Sequence, residues 1–179
     1  HLASTNAFWE LSIRSGIDGV PTEMLAAFDP VATPAGMVEA STLTTDEIVE
    51  SFATSSASLA DLLLELHATG WTVQAEAPPG HVSVSAVAHH ALWDSWIHER
   101  DIALPLGHAA VVEPDEVIAA LRYVAALTPA LALAGGATGA GGFDVAVSGP
   151  DAGFHVDVSA DVVVTTATSG SDFALTGDA

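Results

Sequence analysis

An aspartate and a histidine lie four residues apart in the segment "HHALWDSWIHERD", residues 89–101. Side chains at this spacing share one face of a helix, so the Asp94 carboxylate and the His98 imidazole are predicted to stand one turn apart. Both groups are ligands that zinc accepts. The alternative is an exposed pair that only stabilises the helix, by about 0.2–0.5 kcal/mol.

The helical stripe that carries this pair is apolar at both ends. Helical spacing places Val87, Ala91, Asp94, His98 and Ile102 along one face. Since a bundle helix turns its apolar stripe toward the core, the polar pair is predicted to be buried. A buried carboxylate without a partner is costly, which favours a metal ion or another partner at this position. Helical bundles build metal sites from inward-facing residues on neighbouring helices.

Two further polar residues lie one turn from the pair. His90 precedes Asp94 by one turn, and we predict that it lines the pocket; ligation of a metal is the alternative. Asp101 follows His98 by one turn and is a candidate acceptor that would hold the imidazole, with an exposed helix-end carboxylate as the alternative. No catalytic residue is predicted beyond the metal ligands. Three other histidines are predicted to lie on the surface: His81, His89 and the strand residue His155. His67 is predicted to lie near the end of its helix, where its protonated form meets the helix dipole favourably.

The elements that must position these residues are helices in the first part of the chain. Helical periodicity predicts helices over about 1–15, 82–103 and 115–133. Another long helix is predicted to start at Thr44, because Thr44 and Glu47 have capping-box spacing, and to stop at Gly70. Residues 16–42 are predicted to form a crossover with one short helical turn near "PTEMLAAF", and residues 71–80 a connector.

The pattern changes to strands near the end of the chain. From Phe143 onward apolar residues alternate, in "FDVAVSG", "FHVDVSA" and "VVVTTATS", which predicts an antiparallel β-meander. Helices followed by strands indicate an α+β fold, a helical bundle followed by a small sheet domain. We place the domains at residues 1–110 and 111–179.

Composition excludes several classes of function. The chain has 179 residues, three arginines, no lysine and 23 acidic residues, a formal net charge of −20. Such a surface repels nucleic acid and anionic membranes. There is no cysteine, so disulfides and thiolate metal sites are excluded, and any thiol must come from a small molecule. No apolar run approaches the ~18 residues that a membrane span needs, and no signal peptide is evident, so we expect a cytoplasmic protein.

The segment "WDSWIHERDIALPLG" resembles the last bundle helix of the mycothiol-dependent maleylpyruvate isomerase family. The "HL" step at His1–Leu2, the segment "FDPVATPAGMVE" and the alternating strands also fit the layout of that family. The resemblance implies a DinB-like four-helix bundle. It also implies that His1, Asp94 and His98 bind a divalent metal, zinc first, although the family more often has glutamate where this chain has Asp94. The family's first bundle helix would precede His1, so we expect it to be missing here.

Three functions are compatible with these residues. The resemblance implies an enzyme that uses mycothiol as its thiol cosubstrate. Three protein ligands would leave one coordination position open for a thiol, as in catalytic zinc sites. The bound thiol would act as thiolate and either isomerise a small electrophilic substrate or be transferred to it. The second candidate is a non-catalytic module that binds a metal or a ligand. The third is a structural acidic bundle in which Asp94 and His98 face water.

Overall fold

The computed structural model describes residues 1–29 and 32–178 and has an α+β fold, as predicted from the sequence. It divides into two compact units, His1–Ala91 and Leu92–Ala179. The described helices are α1 (Leu2–Ile17), α2 (Ala32–Ala40), α3 (Thr45–Glu65), α4 (Val84–Ala103) and α5 (Pro114–Ala134). The described strands are β1 (Gln74–Ala77), β2 (Gly80–Ser83), β3 (Gly141–Ser148), β4 (Ala152–Val158), β5 (Val162–Thr165) and β6 (Ala174–Asp178).

The core of the first unit forms around one stripe of α1. Trp9 and Ile13, four residues apart, are both buried and pack with Leu59 and Leu62 of α3. Helix α3 begins where the sequence predicts, because Thr44 and Glu47 form a complete capping box. It ends at Glu65, before the predicted stop at Gly70.

The hairpin of β1 and β2 packs directly on α1. A Cβ atom at Gly16 would lie 2.3 Å from the carbonyl oxygen of Gln74, so only glycine allows this close approach. One turn earlier, the Ser12 hydroxyl donates to the Glu76 carbonyl and accepts from the Glu76 amide, at 2.9 and 2.8 Å. The hairpin backbone is therefore tied to α1 where the two elements are closest.

The buried carboxylate of Glu76 holds the segment that follows α1. It accepts hydrogen bonds from the Thr22 hydroxyl and from the backbone amides of Met24 and Leu25, at 2.7, 2.8 and 2.6 Å. Burial raises the pKa of the Glu76 carboxyl, but these hydrogen bonds outweigh it and leave the pKa lowered. The short helical turn predicted near "PTEMLAAF" is confirmed as a 3-10 turn at Leu25–Ala27.

The second unit contains α5 and a four-stranded sheet in the order β5-β4-β3-β6. Strands β3, β4 and β5 form the predicted antiparallel meander, whereas β6 pairs parallel to β3. The sheet core consists of Val145, Phe154 and Val156, against which Leu121 and Ala125 of α5 pack. Among the described residues, α5 is the one helix long and apolar enough to cross a membrane, which by itself is weak evidence of a span.

Two parts of the secondary-structure prediction were wrong. The stretch at 16–42 contains a helix, α2, whose periodicity is masked by Pro34 and Gly36; proline is tolerated there because it lies in the first turn. Pro30 and Val31 of the segment "FDPVATPAGMVE" lie outside the described residues. The predicted connector at 71–80 contains β1, which is too short to show alternation and is followed by two prolines.

Candidate metal centre

Helix α4 carries the predicted stripe, whose first residues lie in the core of the first unit. Val84, Val87 and Ala91 are buried in that core. The stripe continues with Asp94 and His98, whose side chains are 16 % and 33 % exposed. Both residues are therefore partly buried, which argues against a pair that faces bulk water.

The Asp94 and His98 side chains point their potential metal-binding atoms toward each other. Asp94 Oδ1 lies 3.5 Å from His98 Nε2, and the other ring nitrogen, Nδ1, lies 3.2 Å from Asp101 Oδ2. When Nδ1–H donates to Asp101, Nε2 presents its lone pair toward the Asp94 carboxylate. Two lone pairs at this distance need a positive charge between them, either a proton or a metal ion. The predicted role of Asp101, to hold the imidazole, is compatible with this geometry.

The third predicted ligand is the residue that precedes α1. One ligand atom from each of His1, Asp94 and His98 can be chosen so that all three lie within 4.8 Å of one another. Two ligands of a tetrahedral zinc ion, with bonds of about 2.0–2.2 Å, stand about 3.3–3.6 Å apart. The Asp94–His98 separation of 3.5 Å already falls in this range.

The aromatic residues near the pair have packing partners within their own units. His90 is buried and packs edge-on against the Trp9 ring, with centroids 4.5 Å apart, in the core of the first unit. Trp93 packs against Tyr123 of α5, with ring centroids 5.6 Å apart. The predicted surface histidines His81 and His89 are exposed. His67 is also exposed and lies just beyond α3, which ends at Glu65.

The three arginines are the cations that an acidic ligand would meet. Arg14 pairs with Glu10 at 2.8 Å. Arg100 stacks on the Trp96 ring, 3.5 Å from its centroid, and donates to the Trp96 carbonyl. Arg122 differs from these two, because its Nε atom is buried and makes no hydrogen bond among the described residues.

The prediction that His155 is exposed was wrong. Its side chain is only 13 % exposed, and its Nδ1 lies 2.8 Å from Asp144 Oδ1. The register of β3 and β4 pairs these two residues directly, an arrangement that local alternation does not reveal. Asp144 also accepts hydrogen bonds from three consecutive backbone amides, of Ser169, Gly170 and Ser171, at 2.9, 2.8 and 2.9 Å.

Asp144, His155 and Ser169 anchor the loop before β6 and do not form a catalytic triad. In a triad the carboxylate and the hydroxyl bind opposite nitrogens of the imidazole. Here the Asp144 carboxylate and the Ser169 hydroxyl both lie against Nδ1 of His155, at 2.8 and 2.9 Å. The other side of the ring lies close to Gly142, where a Cβ atom would meet Nε2 at 2.8 Å.

Taken together, a set of helices that carries a His/Asp cluster and a four-stranded sheet define a small α+β protein with a candidate metal centre. The model of the mycothiol maleylpyruvate isomerase N-terminal domain matches residues 1–103, which cover α1 to α4 and include all three candidate ligands. The chain therefore belongs to the mycothiol maleylpyruvate isomerase N-terminal domain family. No curated protein and no solved structure gave a significant match to the chain.

Proposed function

We propose that this protein binds a divalent metal, zinc first, through His1, Asp94 and His98, and uses it in a mycothiol-dependent isomerisation or thiol transfer on a small electrophile. The observation that carries the proposal is the cluster of three ligand atoms within 4.8 Å. Family membership supports it independently, since all three residues lie inside the matched range 1–103. The donor set of two imidazoles and one carboxylate is one that zinc accepts.

Each residue has a defined task in this proposal. His98 offers Nε2 to the metal while Asp101 holds its Nδ1–H, which fixes the tautomer and the ring orientation. Asp94 supplies the negative charge that a dication requires at a partly buried site. Three protein ligands leave one tetrahedral position for a fourth ligand. A divalent metal bound there would stabilise the thiolate form of a small-molecule thiol.

The reaction needs no nucleophile from the chain, which has no cysteine. In an isomerisation, the sulfur of the cosubstrate adds to an activated carbon–carbon double bond, and the electron pair of that bond moves to the activating group. Rotation about the resulting single bond and expulsion of the same sulfur then restore the double bond with the opposite geometry, and the thiol is regenerated. In a transfer, the new carbon–sulfur bond is kept and the electrophile takes the proton of the thiol. We place the reaction in the cytoplasm, where thiols are kept reduced.

Calorimetry of thiol binding tests the proposal. A free thiol with a pKa near ~8.5 is mostly protonated at pH 7, so binding as thiolate releases a proton. Titration of mycothiol into the zinc-loaded protein, in two buffers of different ionisation enthalpy, is expected to show release of about one proton per thiol. His98→Ala is expected to abolish the release, because it loses a ligand nitrogen. His89→Ala is the matched control, since His89 is exposed on the same helix and its Nδ1 bonds to the Ser85 carbonyl.

Two results would reject the proposal. Mycothiol that binds the zinc-loaded protein without proton release would indicate a non-catalytic module that recognises the thiol by other contacts. A zinc-loaded protein that binds no thiol, with a fourth protein ligand evident from X-ray absorption, would indicate a closed structural site.

A further inference from the structure

The chain between α1 and α2 contains a segment, residues 21–28, that is hydrogen-bonded to the β1–β2 hairpin; we call it the strap. Few apolar contacts hold it. The Met24 and Phe28 side chains are 55 % and 42 % exposed, whereas Leu25 is partly buried and packs against the core of the first unit. Residues 18–20 are held separately, because their backbone amides donate to carbonyl oxygens of α1. Apolar burial therefore contributes little to holding the strap in place.

Four polar contacts connect the strap to one cross-strand pair of the hairpin, Glu76 and His81. Oε2 of Glu76 accepts hydrogen bonds from the Thr22 hydroxyl and the Met24 amide, at 2.7 and 2.8 Å. Oε1 accepts from the Leu25 amide at 2.6 Å. The fourth contact joins Nε2 of His81 to the carbonyl oxygen of Thr22, at 2.8 Å. Three of the four contacts thus end at a single carboxylate.

The Glu76 carboxylate can accept all three hydrogen bonds only in its charged form. As an anion it offers two acceptor oxygens, whereas a protonated carboxyl carries a hydrogen on one of them and faces the donors of the strap as a donor itself. Because Glu76 is only 4 % exposed, water cannot readily replace a lost bond, and a buried N–H without a partner is costly. Protonation therefore removes the main contact between the strap and the hairpin.

The titratable groups on the neighbouring elements do not oppose the charged form of Glu76. On β2, a protonated His81 attracts the carboxylate, so the titration of His81 does not favour release in acid. On α1, the charged residues Glu10 and Arg14 pair with each other. On the strap itself, Glu23 is exposed. Glu76 is thus the group whose protonation weakens the contact.

We propose that the Glu76 carboxylate is an acid-sensitive switch, whose protonation releases the strap from the hairpin while α1 and α3 stay folded. Burial raises the pKa of the Glu76 carboxyl, but the hydrogen bonds from the strap and the charge of His81 lower it more, so that it lies below the ordinary 4.5. Since the folded-state pKa is depressed, the charged form holds the strap above about pH 4.5, and this contribution is lost as the pH falls through the folded-state value. Release uncovers the apolar surface against which Leu25 packs.

Hydrogen exchange of the metal-free protein, followed for single amides by NMR between pH 7 and pH 3, tests the proposal. After correction for intrinsic rates, the Met24 and Leu25 amides are expected to be protected at pH 7. Below about pH 4.5 they are expected to lose about tenfold or more of that protection, because their acceptor is protonated. The amide of Ile13, in the buried stripe of α1, is expected to keep its protection over the same range.

Three variants separate the carboxylate from the rest of the strap. Glu76→Gln is expected to reduce the protection of both amides already at pH 7, since a side-chain amide has one acceptor oxygen and cannot accept all three bonds. Thr22→Val removes one donor to the charged carboxylate and is expected to move the release to higher pH. Glu23→Gln is the matched control: it removes an exposed carboxylate next to Met24 and is expected to leave the exchange unchanged.

Three results would overturn the proposal. Protection of Met24 and Leu25 that falls only together with that of Ile13 would mean that the strap opens by global unfolding. Full protection of both amides in Glu76→Gln at pH 7 would mean that the carboxylate does not hold the strap. If Glu76→Gln does not fold, an unchanged pH of release in Thr22→Val overturns the proposal on its own. None of these results bears on the proposed metal site, which shares no residue with the strap.

Discussion

At the scale of single residues, the arrangement of Asp94, His98 and Asp101 gives the imidazole two different neighbours. The Asp101 carboxylate lies 3.2 Å from Nδ1 of His98, and the Asp94 carboxylate lies 3.5 Å from Nε2. The first distance is at the upper end of the range for a hydrogen bond, whereas the second is longer and falls in the range for two ligands of one ion. In the proposed metal site, this difference makes Asp94 the metal ligand and Asp101 the residue that supports His98.

These roles predict that the affinity for zinc depends more on Asp94 than on Asp101. Asp94→Ala is expected to weaken zinc binding by more than about 100-fold, because loss of a group that only supports a ligand already costs about 10–100-fold. Asp101→Asn is expected to weaken it by about tenfold, since the amide oxygen still accepts from Nδ1–H. His89→Ala is expected to leave it unchanged. Competition with a chelator, together with elemental analysis after desalting, measures all three, and equal affinities would contradict the assignment.

The Asp144 carboxylate in the sheet unit has a different role, visible in the acid range. The backbone amide of Ser169 is the largest influence that lowers its pKa; desolvation opposes this, while His155 and the amides of Ser171 and Gly170 lower it further, to about 2. Since the folded-state pKa lies below the ordinary value of about 3.9, the charged carboxylate stabilises the fold above that value. The contribution is lost as the pH falls toward 2.

Asp144→Asn is therefore expected to destabilise the sheet unit near neutral pH, and its difference from the wild type is expected to shrink as the pH falls through about 2. The amide replaces one acceptor with a donor, so it cannot accept from all three backbone N–H groups. Hydrogen exchange at Ser169, Gly170 and Ser171 measures the effect locally. We expect faster exchange in the variant at pH 5–7, after correction for the intrinsic rate. Equal protection at pH 6 would show that the carboxylate does not anchor the loop.

The sequence predicted the parts of the sites that depend on local spacing. Asp94 and His98 follow from the helical period, and His1 was found only through a family resemblance, because no local pattern connects residue 1 to residue 98. The Asp144–His155 pair was missed since it depends on the strand register, which pairs the two residues directly. The local signal for this pair was a polar residue between two apolar ones in each strand, Asp144 in "FDVAV" and His155 in "FHVDV".

At the scale of elements, the length of a helix decided whether its period could be recognised in the sequence. Helices α4 and α5 are 20 and 21 residues long, and their periods are evident. Helix α2 has nine residues and a proline in its first turn, so its period is too short to recognise. Strand β6 pairs parallel to β3, and parallel partners need no turn between them that a sequence would reveal.

The contact between α1 and the hairpin gives a prediction at this scale. Gly16→Ala is expected to destabilise the first unit by about 1–3 kcal/mol, because the new methyl group meets the Gln74 carbonyl, a backbone atom that cannot turn aside. Gly36→Ala is the matched control: a Cβ atom there meets nothing within 4 Å, and alanine favours the helix by up to about 1 kcal/mol. Urea unfolding followed by tryptophan fluorescence compares them. A Gly16→Ala midpoint equal to that of the wild type would mean that the hairpin can move away from α1.

At the scale of the whole molecule, charge is the dominant feature. Three arginines cannot neutralise 23 acidic side chains, which leaves a net charge of −20. The carboxylates repel one another more strongly in the compact state than in the extended chain, because they are closer together there. The chain also has no cysteine, so none of its own side chains could compete as a thiol with a small-molecule thiol for the proposed metal. The same charge that repels polyanions also raises the local concentration of cations around the protein.

Self-repulsion predicts that salt stabilises the fold. Raising the NaCl concentration from 0.01 to 0.15 M shortens the Debye length from about 30 to 8 Å, so carboxylates that lie far apart cease to repel one another. The melting temperature of the metal-free protein, measured by circular dichroism with a chelator present, is therefore expected to rise by several degrees. Choline chloride at equal ionic strength is expected to give the same rise, because screening depends on charge and not on the identity of the cation. A larger rise in NaCl would indicate a specific sodium site, and a fall in both salts would show that attractive ion pairs outweigh the repulsion.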